Sequence, residues 1–261
     1  MSFSLRKINV LGDISTMHQG KLANCRRMIR QLNRVNAIPK IQLFSEKTFP
    51  RDWMVPIFVE SGIRFIPSVF QPEDVEFVLP FKPLALKIAS VESTYPELLT
   101  TVLETNLPVI ISTGGMSEDE FLDLISKVRD RADVCLMHCV SVYPTWVDDV
   151  NLLRLETMEE ILGESEAGCQ LGLSLHCPFY TTELCAAALV LGATQFEIHV
   201  REDKANFNKP DSAAAIHISQ VRNLINTLNG IKGALGDGNL QGADYEAVRK
   251  WRKRWQEKSA S

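Results

Sequence analysis

Two histidines, His176 and His199, and two lysines, Lys40 and Lys87, interrupt or close short apolar segments, where a polar side chain is costly without a partner. Neighbouring strands lie about 4.8 Å apart, so imidazoles closing two adjacent strands can share one metal ion. With oxygen donors nearby and no obligatory thiolate, that ion is an octahedral divalent one, Mn2+ or Mg2+, with open positions for a substrate. Lys40 and Lys87 supply fixed cations, and Ser68, Ser90, Ser112 and Ser174 supply hydroxyl donors. Together they suit a small phosphorylated carboxylate in a water-poor pocket. Blander readings stand beside these. His199, in "QFEIHVRED", reads also as a hydrogen-bonded histidine with no further role, and the lysines as side chains reaching to solvent. Lys87 has the setting of a Schiff-base lysine as well.

These residues need a scaffold that gathers strand ends. Eight short apolar, β-branched segments recur: "KINVLGD", "PKIQLF", "IRFIPSVF", "LALKIAS", "LPVIIST", "VCLMHC", "CQLGLSL" and "QFEIHV". Between them lie stretches with apolar residues near helical spacing, among them "GKLANCRRMIRQLN", "TYPELLTTVLETN", "SEDEFLDLISKVRDR" and "TTELCAAALVLG". Ser117 and Glu120 form the pattern of a capping box. Strands that are apolar nearly throughout and alternate with helices predict a parallel sheet covered by helices. Eight repeats predict a closed (β/α)8 TIM barrel of the α/β class, with an open doubly wound sheet as runner-up. No linker or low-complexity segment divides residues 1–261, which predicts a single domain, with a C-terminal helix at about 243–258 whose basic face is solvated. In such a barrel the strand ends build one face of the molecule. They carry, in order, Asp13; Lys40 and Gln42; Ser68; Lys87, Ser90 and Glu92; Ser112; His138 and Ser141; Ser174 and His176; Glu197 and His199.

Composition bounds the rest. The 261 residues are 45% hydrophobic and 23% charged, and the formal net charge is −4, which argues against a broad nucleic-acid-binding surface and requires any anion to be held by local cations. No apolar run reaches the ~18 residues of a membrane span, and "MSFSLRKINVLG" has no secretory pattern, so a cytoplasmic protein with no membrane partner is expected. The six cysteines show no CxxC pair and read as reduced core thiols; Cys139 and Cys177, each following a histidine, leave a thiolate metal site as a minor reading.

Ten motifs, taken in order, resemble the sialic acid synthase (N-acetylneuraminate synthase) family: "LGDISTMHQG", "KIQLF", "KIASVE", "ISTGGMS", "LMHCVSVYP" followed by "VNL", "GLSLHCP", "FEIHV", "KPDS" and "GALGDG". The resemblance implies a transferase that condenses phosphoenolpyruvate with a sugar aldehyde to give a 2-keto-3-deoxy sugar acid, in carbohydrate biosynthesis. It implies phosphoenolpyruvate contacts at Lys40, Ser68, Lys87, Ser90, Ser112 and Ser174, metal ligands at His176 and His199, and Glu92 near the reacting atoms. Asp13, Gln42, Phe70, Tyr143 and Asp211 fall at sugar-side positions, and a homodimer is expected by family likeness. Lys87, Glu92 and Asp13 are the catalytic candidates. The chain departs from the family pattern at Asp13, Val140, Val142, Leu175, Ile198 and Ser212. The resemblance covers the catalytic barrel alone, without the antifreeze-like domain that follows it in the family. These differences motivate a competing expectation, a catalytically impaired barrel serving as a binding or partner subunit in surface-glycan biosynthesis.

Overall fold

Each of the eight apolar segments forms a strand: β1 (Asn9–Asp13), β2 (Ile38–Gln42), β3 (Ile66–Val69), β4 (Leu86–Ile88), β5 (Val109–Ser112), β6 (Val134–Cys139), β7 (Gln170–Leu175) and β8 (Ala193–Arg201). The computed structural model describes residues 3–45, 48–163, 168–202, 210–236 and 242–259. Every strand pairs parallel to the next, and β1 pairs β8, with Asp13 opposite His199. That last pairing closes the barrel and excludes the open sheet.

The crossovers are α1 (Leu22–Arg34), α2 (Pro72–Val78), α3 (Pro96–Leu103), α4 (Glu118–Val128), α5 (Arg154–Leu162) and α6 (Thr181–Val190), followed by α7 (Pro210–Ala214), a two-residue strand β9 (Ile216–His217) beside β8, and α8 (Val221–Leu235). Between β2 and β3 the chain makes a 3-10 turn at Arg51–Trp53 and a π-turn at Val55–Val59. Helix α4 opens on the capping box: Ser117 Oγ accepts from the Glu120 N–H at 3.3 Å and the Glu120 carboxylate accepts from the Ser117 N–H at 2.7 Å. Helix α1 shows why the crossovers stay on the barrel, since Cys25, Met28, Ile29 and Leu32 recur on one side and are all buried. The chain groups into two units, Met1–Leu228 and Asn229–Ser261. The barrel lies in the first; the second includes α9 (Gly242–Ser259), where the sequence predicts a helix at about 243–258.

Side chains alternate along a strand, so inward positions repeat every second residue. Leu11, Ile66, Ala85, Ile110, Cys135 and Met137 share one buried apolar cluster with Leu5 and Leu84. Two residues further along the same strands stand Asp13, Ser68, Lys87, Ser112 and Cys139. The barrel therefore has an apolar floor and a polar upper layer, and sequence phase alone sets the boundary. Beside the floor, Gln195 is fully buried and donates to the carbonyls of Leu5 and Lys7 at 2.7 and 2.9 Å, which satisfies a polar group that burial would penalise. Gly172 is required here: a Cβ at this position would lie 2.8 Å from the Gln195 carbonyl oxygen and 2.9 Å from Met137 Cγ.

Candidate active site

The C-terminal ends of the strands surround a cavity of about 220 Å³. Its walls include Asp13, Lys40, Gln42, Phe70, Lys87, Ser90, Ser112, Tyr143, Ser174, His176, His199 and Asp211, so twelve of the sequence-derived site residues meet at one place. Ser68 and Glu92 are not among the lining residues. Ser68 is fully buried on β3, opposite Lys87 in the strand register, and its hydroxyl has no hydrogen-bond partner. Glu92 ends the 3-10 turn Ser90–Glu92 and lines a neighbouring groove with Phe44, Arg51, Phe70 and Asp74.

A buried ion network organises the cavity. Lys40 Nζ donates to Asp13 Oδ2 at 2.7 Å and lies 3.5 Å from Glu197 Oε1. Gln42 Nε2 donates to the same Asp13 oxygen at 2.7 Å, and the Ser15 N–H donates to Asp13 Oδ1 at 2.9 Å. Lys87 Nζ donates to Ser112 Oγ at 2.6 Å and to the Ile88 carbonyl at 3.1 Å, and lies 3.7 Å from Glu197 Oε2. Ser174 Oγ donates to Glu197 Oε1 at 3.1 Å. Ser15 Oγ, in turn, donates to Asp211. Neither lysine reaches to solvent: Lys40 is 3% and Lys87 1% exposed. Glu197, which the sequence places at a strand end without assigning it a role, joins both ammonium groups. It was detectable by phase, since it stands two residues before His199 on the inward side of β8.

Burial alone would neutralise these groups; their neighbours decide the outcome. Burial pushes both carboxyls up, but Lys40 and then His199 outweigh it at Asp13, and Lys40 and Lys87 at Glu197, holding both below the usual carboxylate range. Lys40 is penalised by burial, yet Asp13 and Glu197 raise it above the usual lysine value. Lys87 goes the other way: burial lowers it, and Glu197 only partly offsets that.

The two histidines face the same space, with ring centroids 5.2 Å apart. His176 Nδ1 lies 2.8 Å from the Val140 carbonyl, which fixes Nδ1 as a donor and makes Nε2 the nitrogen turned toward a ligand. His199 Nε2 lies 3.7 Å from Asp13 Oδ2, and its Nδ1 is buried with no hydrogen-bond partner. Burial lowers the His199 pKa, against the pull of Asp13, which favours the neutral imidazole a metal needs. Each ring thus offers one nitrogen without a protein partner, which fits a shared divalent ion. No group of three or more His, Cys, Asp or Glu residues is placed to hold a metal among the described residues. Such an ion would fill its other positions with water or substrate oxygens. Tyr143 packs on His176 with centroids 4.0 Å apart and meets His199 edge-on at 5.8 Å.

β6 departs from expectation. Its strand end offers His138, but that ring is out of phase with Cys135 and Met137, points away from the cavity and lies 2.7 Å from the Val150 carbonyl. Cys139 takes the inward position and lines the cavity. All six cysteines are free thiols. Burial pushes the Cys25 and Cys169 thiols up to about 12, and those of Cys135 and Cys185 further still. Cys139 is not an inert core thiol of that kind. Burial raises it, but the His176 ring at 3.8 Å and the Ser90 hydroxyl at 3.5 Å outweigh this and bring it down to about 7.

Known proteins share sequence and fold with this chain. Pseudaminic acid synthase of Campylobacter jejuni is 30% identical over 204 residues, covering 76% of this chain and 57% of that protein. N,N'-diacetyllegionaminic acid synthase of Legionella pneumophila is 29% identical, covering 71% of this chain and 51% of that protein. This chain thus spans a little over half the length of the curated relatives it matches. The crystal structure of N-acetylneuraminic acid synthetase from Leptospira borgpetersenii superposes with a TM-score of 0.80 at 23% identity, covering 94% of this chain and 91% of that one, and shares the fold. Residues 18–240 match the NeuB family, and the chain belongs to it.

Proposed function

We propose that this barrel catalyses a phosphoenolpyruvate-dependent, metal-assisted condensation that forms a 2-keto-3-deoxy sugar acid. The observation that carries this reading is the convergence of two buried ammonium groups and two imidazoles on one cavity. Family membership and relatives named pseudaminic acid synthase and N,N'-diacetyllegionaminic acid synthase support it.

In this reading C3 of phosphoenolpyruvate bonds to the aldehyde carbon of the acceptor, water adds to C2, and phosphate leaves as the C–O bond breaks. Lys87, with Ser112 beside it, and Lys40 hold the phosphate and carboxylate of the donor. Each ammonium already has a carboxylate neighbour, so a ligand must compete for it; a multiply charged anion does this better than a monoanion. Glu197 is held ionised between the lysines, which makes it a poor proton acceptor and a good spacer for the two cations. A divalent ion held by His176 and His199 would act as a Lewis acid toward the acceptor carbonyl. Asp13, Gln42, Tyr143 and Asp211 lie on the wall left for the sugar. Mn2+ or Mg2+ as the ion, a sugar aldehyde as the acceptor, a cytoplasmic location and a homodimer belong to the same proposal.

Phosphate release is the test. The purified chain with phosphoenolpyruvate, Mn2+ and a panel of amino sugars and phosphorylated sugars should liberate phosphate with at least one acceptor. No release across a broad panel, with metal bound, would overturn the proposal.

A further inference from the structure

Helix α9 carries a surface that the proposed reaction does not use. Its 18 residues, Gly242–Ser259, extend about 27 Å at the usual helical rise. Every described side chain from Tyr245 to Glu257 is exposed, including Trp251 at 62% and Trp255 at 69%. In proteins most helical stability comes from packing one amphipathic face rather than from intrinsic propensity. Helix α9 leaves its face open to such packing.

The sequence of the helix indicates which kind. Tyr245, Val248, Trp251 and Trp255 recur at intervals of three, three and four residues, which aligns them along one side. Arg249, Lys250, Lys253 and Arg254 are rotated to the opposite side, with Glu246 and Glu257 flanking them one turn beyond either end. Arg252 falls among the aromatic residues, where its long stem lets the guanidinium reach away from an apolar layer. The Arg254 guanidinium lies 5.5 Å from the Trp251 ring centroid. Between 242 and 259 there are six basic and three acidic residues, in a chain of net charge −4. Concentrated positive charge on one face and tryptophan on the other describes a helix that lies in the plane of a membrane interface.

We propose that α9 binds the surface of an anionic lipid bilayer, with Trp251 and Trp255 at headgroup depth and Arg249, Lys250, Lys253 and Arg254 engaging lipid phosphates. The complementarity is both electrostatic and apolar. A nucleic acid would match the cations but leave the Tyr245–Trp255 face in water. No helix among the described residues is long and apolar enough to cross a membrane. Interfacial binding does not require one, so the absence of a span in the sequence does not bear on it. The inference is independent of the reaction proposed above.

The test is co-sedimentation of the full chain with vesicles. Binding is expected to vesicles of mixed phosphatidylglycerol and phosphatidylcholine, with at least tenfold weaker partitioning onto pure phosphatidylcholine. At about 1 kcal/mol per juxtamembrane cation, or roughly fivefold each, the variant Arg249→Gln/Lys250→Gln/Lys253→Gln/Arg254→Gln should lose almost all binding. Trp251→Ser/Trp255→Ser should lose at least tenfold. Near-ultraviolet dichroism and the thermal transition of each variant check that the barrel is intact. Equal binding to neutral vesicles, no binding to either, or full binding by the tryptophan variant would overturn the proposal. So would a chain that fails to sediment with vesicles yet shifts RNA in a gel, or one that self-associates through Trp251 and Trp255 instead.

Discussion

The Lys40 ammonium and the Asp13 carboxylate form a direct ion pair at 2.7 Å on adjacent strands, with both side chains almost wholly withdrawn from water. Removing one member strands the other charge, at a cost of roughly 3–5 kcal/mol. Lys40→Met should therefore destabilise the barrel by about that amount in urea unfolding. The double variant Lys40→Met/Asp13→Asn should recover a large part of the loss. Additive losses would show that the two residues are not coupled.

His176→Ala and His199→Ala address the metal. Elemental analysis of the purified chain should find about one divalent ion, and each single variant should lose it while keeping a cooperative thermal transition. Chelation of the unaltered chain should stop phosphate release, and Mn2+ should restore it. Metal retained in both variants would place the ion elsewhere.

Lys87 separates anion binding from imine chemistry. Truncating a buried charged partner costs about 2–5 kcal/mol of affinity. Calorimetric titration of Lys87→Ala with phosphoenolpyruvate should accordingly show at least tenfold weaker binding. Borohydride treatment of the unaltered chain with carbonyl substrates should trap no adduct on Lys87. A trapped adduct would replace the metal-assisted reading with a Schiff-base aldolase. Tight phosphoenolpyruvate binding without turnover would instead point to a partner subunit.

Gly172→Ala probes the floor. The new methyl group meets backbone at the Gln195 carbonyl and has little room to move it. Overpacking of this kind costs about 1–3 kcal/mol, which should appear as a lower urea midpoint with an unchanged slope.

At the surface, Arg131 donates to Asp133 at 2.7 and 3.1 Å and, against a smaller effect of burial, holds the aspartate below its usual value. A carboxyl depressed in the folded state contributes stability above its unfolded pKa, near 3.9, and loses it as pH falls through the folded value. Asp133→Asn should cost at most ~1 kcal/mol near neutral pH, and the difference from the unaltered chain should vanish in acid.

The eight strands are legible because each is a short run that is apolar nearly throughout, and buried parallel strands require that composition. Most of the cavity is legible for the same reason, since a lysine or histidine closing such a run has to face somewhere polar. Phase was the harder signal. His138 and Cys139 are adjacent, and only alternation from Cys135 and Met137 tells which one turns inward. Glu92 ends a 3-10 turn, where strand periodicity no longer applies, and the sequence does not say which groove it enters. Cys139 reads as apolar until His176, 37 positions away, is set beside it.

The stacking of an apolar tier beneath a charged one on the same staves has a consequence for how this scaffold can change. Inserting or deleting one residue within a stave would swap its inward and outward sides above the lesion, sending greasy groups into the reaction chamber and ions into the shell. Length variation is thus confined to the connectors at the rim, and a new acceptor preference has to be acquired there or by point replacement.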